Sequence, residues 1–256
     1  MMLLRLSKKF LVRCDKWVLD ERKIYKATKH IDIYKFGWIN NMVSNIPLNL
    51  KLRNKKDREV AFAQDIIVEE LYKFFPEAII HGGTGIWRCY HGNRFSEDVD
   101  VYIKRDEKKI EEFFKSLENK GFKIIKKRLK ENSLYSGLEF HGVETKFEAT
   151  FQNKKPFFKK YETAESFFIN VYTLTPEDLI LEKVETYLKR KKIRDLYDIA
   201  FLINHVENKE LVKSYLKKLI EKFEKPIDEE NLANIIITGA VPSSDELFWE
   251  IKKWVK

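Results

Sequence analysis

The sequence predicts an α+β fold: a mixed β-sheet with flanking helices, followed by a purely helical segment. Three observations predict it. The apolar run Ala78-Ile79-Ile80 leads straight into His81-Gly82-Gly83-Thr84-Gly85, the pattern of a buried strand that turns at glycines into a helix. Residues 98–103 alternate with period two, and stretches rich in strand formers follow over residues 122–151 and 167–174. After Thr175-Pro176-Glu177-Asp178, apolar residues recur only at helical spacing. The 256 residues can bury a substantial core. They divide into a basic, mainly helical extension at 1–55, a core domain at 56–174 and a helical domain at 175–256.

Each element has its own signal. Leu3, Leu6 and Phe10, with Leu4, Leu11 and Val18 beside them, predict an amphipathic helix over residues 3–20. Gly37, Asn40, Asn41, Pro47 and Asn49 then break any long pattern, and Trp17, Tyr34 and Trp38 read as packing aromatics. Val60, Ala63, Ile67, Leu71 and Phe74 mark a helix over 57–75, ended by Pro76. Ile110, Phe113, Phe114 and Leu117 mark another over 106–120, closed by Gly121. An antiparallel meander follows at 122–130, 133–141 and 142–151, and residues 157–161 read as an aromatic patch ahead of the last strand. Thr175 caps a helix that has proline at its first position and acids in its first turn, running to about residue 191. Further helices are expected at 194–205, 209–223, 229–237 and 245–255.

Charge and cysteine content narrow the classes of function. The net charge is +9, and residues 1–60 hold 15 Lys and Arg against 6 Asp and Glu, so the whole surplus is N-terminal. Clustered cations suit a phosphate-rich partner such as RNA, although a solvated helix face would look the same. No run is long and apolar enough for a signal peptide or membrane span, which predicts a soluble, cytoplasmic protein with no membrane partner. Cys14 and Cys89 stand alone, which predicts two reduced thiols and neither disulfide nor zinc.

Residues 81–100 carry the densest chemistry. Gly82 and Gly83 allow a turn that frees backbone amides, and Thr84 adds a hydroxyl at a helix start, so a triphosphate can lie there. Asp98 and Asp100 are two apart on a strand and face the same way. At roughly 7 Å they repel by about 2 kcal/mol at an effective dielectric near 20. One or two Mg2+ ions would relieve that repulsion. On the third meander strand Glu148 shares a face with Lys146 and Thr150, and reads as a third metal-ligating carboxylate or as an exposed strand charge. Lys183 lies between Leu179 and Tyr187 on one helix row, where it either snorkels to solvent or reaches a phosphate. Asp195 and Asp198 share one side of the next helix, as ligand-facing acids or simply as helix starters.

Gly82-Gly83-Thr84, Arg94-Phe95-Ser96-Glu97-Asp98-Val99-Asp100, Glu182-Lys183 and Arg194-Asp195-Leu196-Tyr197-Asp198 together resemble the AbiEii toxin family and its MenT relatives. These are nucleotidyltransferases of the DNA polymerase β-like superfamily. The likeness spans residues 79–202 and implies a nucleotidyltransferase-type sheet. It implies that Gly83 and Thr84, with Gly82 and Arg94, contact the triphosphate, and that Ser96 is the serine preceding the metal pair Asp98 and Asp100. Lys183 and Asp195 match the essential lysine and aspartate of the later motifs. The implied activity is Mg2+-dependent transfer of a nucleoside monophosphate from an NTP to a hydroxyl, on an RNA such as the tRNA acceptor end. The protein would then be the toxin of an AbiE-type toxin–antitoxin system with a winged-helix antitoxin as partner. A protein side chain or small molecule as acceptor, or a catalytically silent binding module, are the alternatives. Residues 1–55 have no counterpart in these motifs.

Overall fold

A seven-stranded mixed sheet forms the central layer of the computed structural model, which describes residues 46–256. The expected helix at 3–20, Cys14 and the aromatics Trp17, Tyr34 and Trp38 lie outside the described residues. The strands are β1 (Ile79–His81), β2 (Val99–Tyr102), β3 (Lys123–Leu129), β4 (Ser133–Phe140), β5 (Val143–Thr150), β6 (Phe157–Glu162) and β7 (Phe168–Thr173). Their order across the sheet is β3-β4-β5-β2-β1-β7-β6. β2 runs parallel to β5 and β1 parallel to β7, and the other pairs are antiparallel.

Pairing register arranges the side chains in rows. One row crosses five strands as Arg128, Tyr135, Glu148, Asp100 and His81. The alternation anticipated for β5 is present: Val143, Thr145, Phe147 and Ala149 are buried, while Glu144 and Lys146 are exposed and Glu148 and Thr150 half-exposed.

The helices follow their sequence signals closely. α1 (Leu48–Lys51) and α2 (Lys55–Phe74) enter first; the Asp57 N–H donates to the Asn54 cap, and the chain leaves α2 before Pro76. Leu48 and Leu52 are buried with Val60, Trp87 and Phe95, and Asn49 N–H donates to the Ala164 carbonyl. The compact unit accordingly begins at Pro47, ahead of the boundary expected at residue 56. α3 (Gly82–Cys89) follows β1, and Cys89 is a buried free thiol. α4 (Glu107–Asn119) places Phe113 and Phe114 against Phe147 on the sheet's buried face.

α5 (Pro176–Arg190) starts at its Thr175 cap and stops at Lys191, whose φ is +50°. α6 (Ile193–Leu202) and α7 (Lys209–Glu221) pack on it, and α8 (Leu232–Ile235) and α9 (Ser244–Val255) complete the chain. Ile180, Val184, Leu196, Ile199 and Leu216 join Ile80, Val99 and Phe147 in one continuous core, so the helices of residues 175–256 are welded to the sheet.

Two elements differ from expectation. Residues 157–162 form β6, which among the described residues pairs with β7 alone; doubled residues (Phe157-Phe158, Lys159-Lys160) hide the period-two signal of this edge strand. The helix expected over 229–237 stops two residues short: a 3-10 turn at Glu229–Asn231 runs into α8 (Leu232–Ile235), and residues 236–237 leave it. Tertiary pairing overrides local propensity there: Ile236 bridges Arg94, the Phe95 N–H donates to the Ile235 carbonyl, and the Ile237 N–H donates to the Asn93 carbonyl.

Candidate active site

The glycine turn and the aspartate strand are built against each other. β1 and β2 pair antiparallel, so His81 stands opposite Asp100 and the chain turns into α3 directly beside it. Gly82 has φ +64°, and a Cβ there would fall on the Asp100 carboxylate. A Cβ on Gly83 would fall on Ser96 Oγ and lie 2.7 Å from Arg94 Nη2. Both glycines are therefore required by close approach. His81, the residue before α3, places no side-chain cap on the helix, so the first-turn amides keep their anion-binding capacity.

Thr84 does not face this space. It is fully buried, and its hydroxyl donates to the Asp98 backbone carbonyl. Its hydroxyl thus ties α3 to the segment entering β2, in place of the triphosphate contact expected from the sequence. Gln64 supports the same segment from α2, with Nε2 donating to the Ser96 carbonyl at 2.7 Å.

Three carboxylates gather beside this turn, on the central strands of the sheet. Asp98, expected as the first residue of the strand, sits one residue ahead of the observed β2, and Asp100 lies within β2 beside its register partner Glu148. Burial raises the Asp100 carboxyl, and Asp98 adds to the effect against the opposing pull of His81 and Lys183. Glu148 is likewise raised, by burial first and then by Asp100 and Asp98. Lys146 leans on the cluster, with Nζ 3.4 Å from Asp98 Oδ1. An all-oxygen donor set on adjacent strands, short of positive charge, fits a hard divalent cation. Among the described residues, as placed, no three such side chains converge on a single point.

Beneath the glycine turn lies a buried charge network. Arg94 grips Asp198 with two hydrogen bonds of 2.5 and 2.6 Å. Lys183 Nζ is 2.6 Å from Asp198 Oδ2 and 3.3 Å from Asp195 Oδ1. Arg190 holds Asp195 through bonds of 2.7 and 2.8 Å. Lys183 therefore neither snorkels nor stands free, being 7 % exposed and fixed by two aspartates. Burial opposes ionisation of Asp198, but the Arg94 and Lys183 charges outweigh it and hold the carboxyl below its usual range. Three cations face two carboxylates in this network, whose Arg94 end reaches Gly83 and whose Arg190 end is half-exposed.

Asp198 is the residue that sequence spacing left open and that binds Arg94 and Lys183 together. The signal for Gln64 was a polar side chain within the apolar stripe of α2. A further group surrounds His81: its Nδ1 lies 3.1 Å from Glu182 Oε2, its ring stacks on Tyr102 at 4.0 Å, and the Tyr102 hydroxyl donates to Glu182 Oε1 at 2.6 Å.

The chain matches the family model described as "Nucleotidyl transferase AbiEii toxin, Type IV TA system" over residues 66–242. It belongs to the AbiEii nucleotidyltransferase toxin family. Every residue from Gly82 to Asp198 discussed above falls inside the matched region. The fold is similar to that of MenT4, a nucleotidyltransferase toxin from Mycobacterium tuberculosis H37Rv, with a TM-score of 0.56 and 15% identity over 81% of this chain and 90% of that one. It is also similar to that of JHP933 from Helicobacter pylori, with a TM-score of 0.55 and 18% identity over 79% and 91% of the two chains. No curated protein sequence matches the chain. As an AbiEii family member the protein is a nucleotidyltransferase, and no helix among the described residues is long and apolar enough to cross a membrane.

Proposed function

We propose that the protein transfers a nucleoside monophosphate from an NTP to a hydroxyl of an RNA, with the tRNA acceptor end as the preferred class, and does so with Mg2+. The observation that carries this reading is the register that sets Asp100 beside Glu148, next to the uncapped amides of Gly82 and Gly83. The N-terminal surplus of Lys and Arg supports RNA over a small molecule.

Asp98, Asp100 and Glu148 would hold the metal, which when bound supplies charge neutralisation of the phosphates and activation of the attacking oxygen. The amides at the α3 N-terminus bind the triphosphate, with the Ser96 hydroxyl beside Gly83 as a further donor. Arg94 and Lys183 add positive potential from below, and Asp198 and Asp195 fix where they point. The acceptor oxygen bonds to the α-phosphorus, the bond from that phosphorus to the bridging oxygen breaks, and the hydroxyl proton and pyrophosphate leave. The chain's contribution is position and field.

In the cell this activity would make the protein the toxin of a toxin–antitoxin pair, with an antitoxin, of the winged-helix type, as its partner. Incubating the full chain with each α-labelled NTP and total RNA, then resolving the products, tests the reading. Label on a discrete RNA band is expected. Label on a protein band or on a small product would transfer the chemistry to another acceptor, and no label with any NTP would sink the proposal.

A further inference from the structure

We propose that the open face of β3, β4 and β5 is the track along which a single-stranded RNA end reaches the carboxylates. The inference rests on the nucleotidyl-transfer reading and adds where the acceptor lies. The back of β4 and β5 is core, whereas Lys126, Arg128 and Lys146 on the front are exposed and Tyr135 and Gly137 half-exposed; Glu139 and Glu144 share this face, in the row that Lys123 begins. Register places them in two rows. Arg128, Tyr135, Glu148 and Asp100 are consecutive across four strands, and Lys126, Gly137 and Lys146 form the neighbouring row, which ends at Asp98 through the Lys146 ion pair. With strands about 4.8 Å apart, Arg128 lies roughly 14 Å from Asp100, the reach of a few nucleotides.

The composition of this face matches what a single strand needs. Tyr135 offers a ring for a base to stack on, and Lys126 Nζ stands 5.4 Å from that ring's centroid. Among the described residues, neither Lys126 nor Arg128 forms an ion pair, while their β3 neighbours Lys123 and Lys127 are engaged by Glu139 and Glu111. Gly137 lowers the floor between the two lysines. Its φ is not positive and an added Cβ would meet only ordinary contacts at 3.8 Å, so its own backbone does not demand glycine. A glycine inside a strand weakens it and commonly marks close approach of another backbone. A duplex hides the base faces that Tyr135 would read, which favours an unpaired end.

The test uses the full chain, EDTA to prevent transfer, and a fluorescein-labelled single-stranded RNA of roughly 12 nucleotides with a free 3′ hydroxyl, followed by anisotropy across a salt series. The double variant Lys126→Glu, Arg128→Glu is expected to weaken binding at least about tenfold and to flatten the log–log salt slope by about 1.4. Tyr135→Ala is expected to weaken binding about tenfold with the slope unchanged. The control Lys217→Glu, Lys222→Glu, which reverses exposed charges on and just after α7, is expected to behave as wild type. Wild-type affinity and slope in the β3 double variant, an equal loss in the control, or no RNA binding by the wild type would each overturn the track. Calorimetry with NTP separates the two readings: variants that bind NTP normally but have lost RNA support the track. A wild type that binds RNA on this face yet transfers no nucleotide would refute the activity alone.

Discussion

A single methyl group tests the phosphate turn. At Gly83 it would collide with Ser96 Oγ and with an Arg94 that cannot move aside, because Asp198 holds both ends of its guanidinium fork. Gly83→Ala is expected to lower kcat/KM for NTP by about tenfold or more, in steady-state assays, from overpacking alone. Asp198→Asn probes the network below. It would leave Arg94 and Lys183 buried with too little countercharge, at a cost of about 3 kcal/mol or more in urea unfolding at pH 7. The sign with pH follows from the depressed carboxyl. Its stabilisation is complete above the ordinary Asp range and disappears as pH falls below it, so the gap between wild type and Asp198→Asn should narrow below about pH 4. Residue types and spacing identified Gly82, Gly83, Asp98, Asp100 and Glu148 as neighbours, since two-residue periodicity fixes the face on which a strand side chain lies. Spacing could not reveal where the Thr84 hydroxyl donates, nor that Asp198 and not Asp195 is Arg94's partner, because both depend on how separate segments pack, the second across 104 residues of chain.

At the level of elements, caps and breakers carried most of the legibility. α5 opens on Thr175, Pro176, Glu177 and Asp178, a local signal, and the structure closes it at the left-handed Lys191. Thr175→Ala should cost about 1 kcal/mol in thermal or urea unfolding, since the Asp178 N–H loses its side-chain acceptor. Because α5 also presents Lys183 and Glu182 to the site, the same variant should lower activity only modestly if the helix merely frays at its first turn. What stayed hidden was decided by partners. β6 is a strand because β7 offers an edge, and residues 236–237 stop being helical because the backbone of residues 93–95 accepts and donates there. That clamp ties the C-terminal helices to the motif segment. It explains why a sequence boundary drawn at residue 175 separates elements that share one core.

Over the whole molecule, the sheet brings first-turn amides, three carboxylates and a positive network together at its central strands, and leaves a face of β3–β5 with Lys126, Arg128 and Lys146 running away from them. The surplus charge of the chain lies elsewhere in sequence, in residues 1–60. If those cations also engage the acceptor, replacing Lys8, Lys9, Arg13 and Lys16 with glutamine should weaken RNA binding and reduce its salt slope by up to about 2.8, read by anisotropy. The mixed sheet and family were legible from ordered motifs, whereas the seven-strand order was not, because long-range pairing leaves no local periodicity. Asp98 and its neighbours are proposed to form the catalytic centre of this nucleotidyltransferase. The most direct measurement compares initial rates of label transfer from the accepted α-labelled NTP by wild type and Asp98→Ala, both folded by circular dichroism. A loss on the order of a hundredfold to a thousandfold is predicted, and transfer by Asp98→Ala at the wild-type rate would contradict the account.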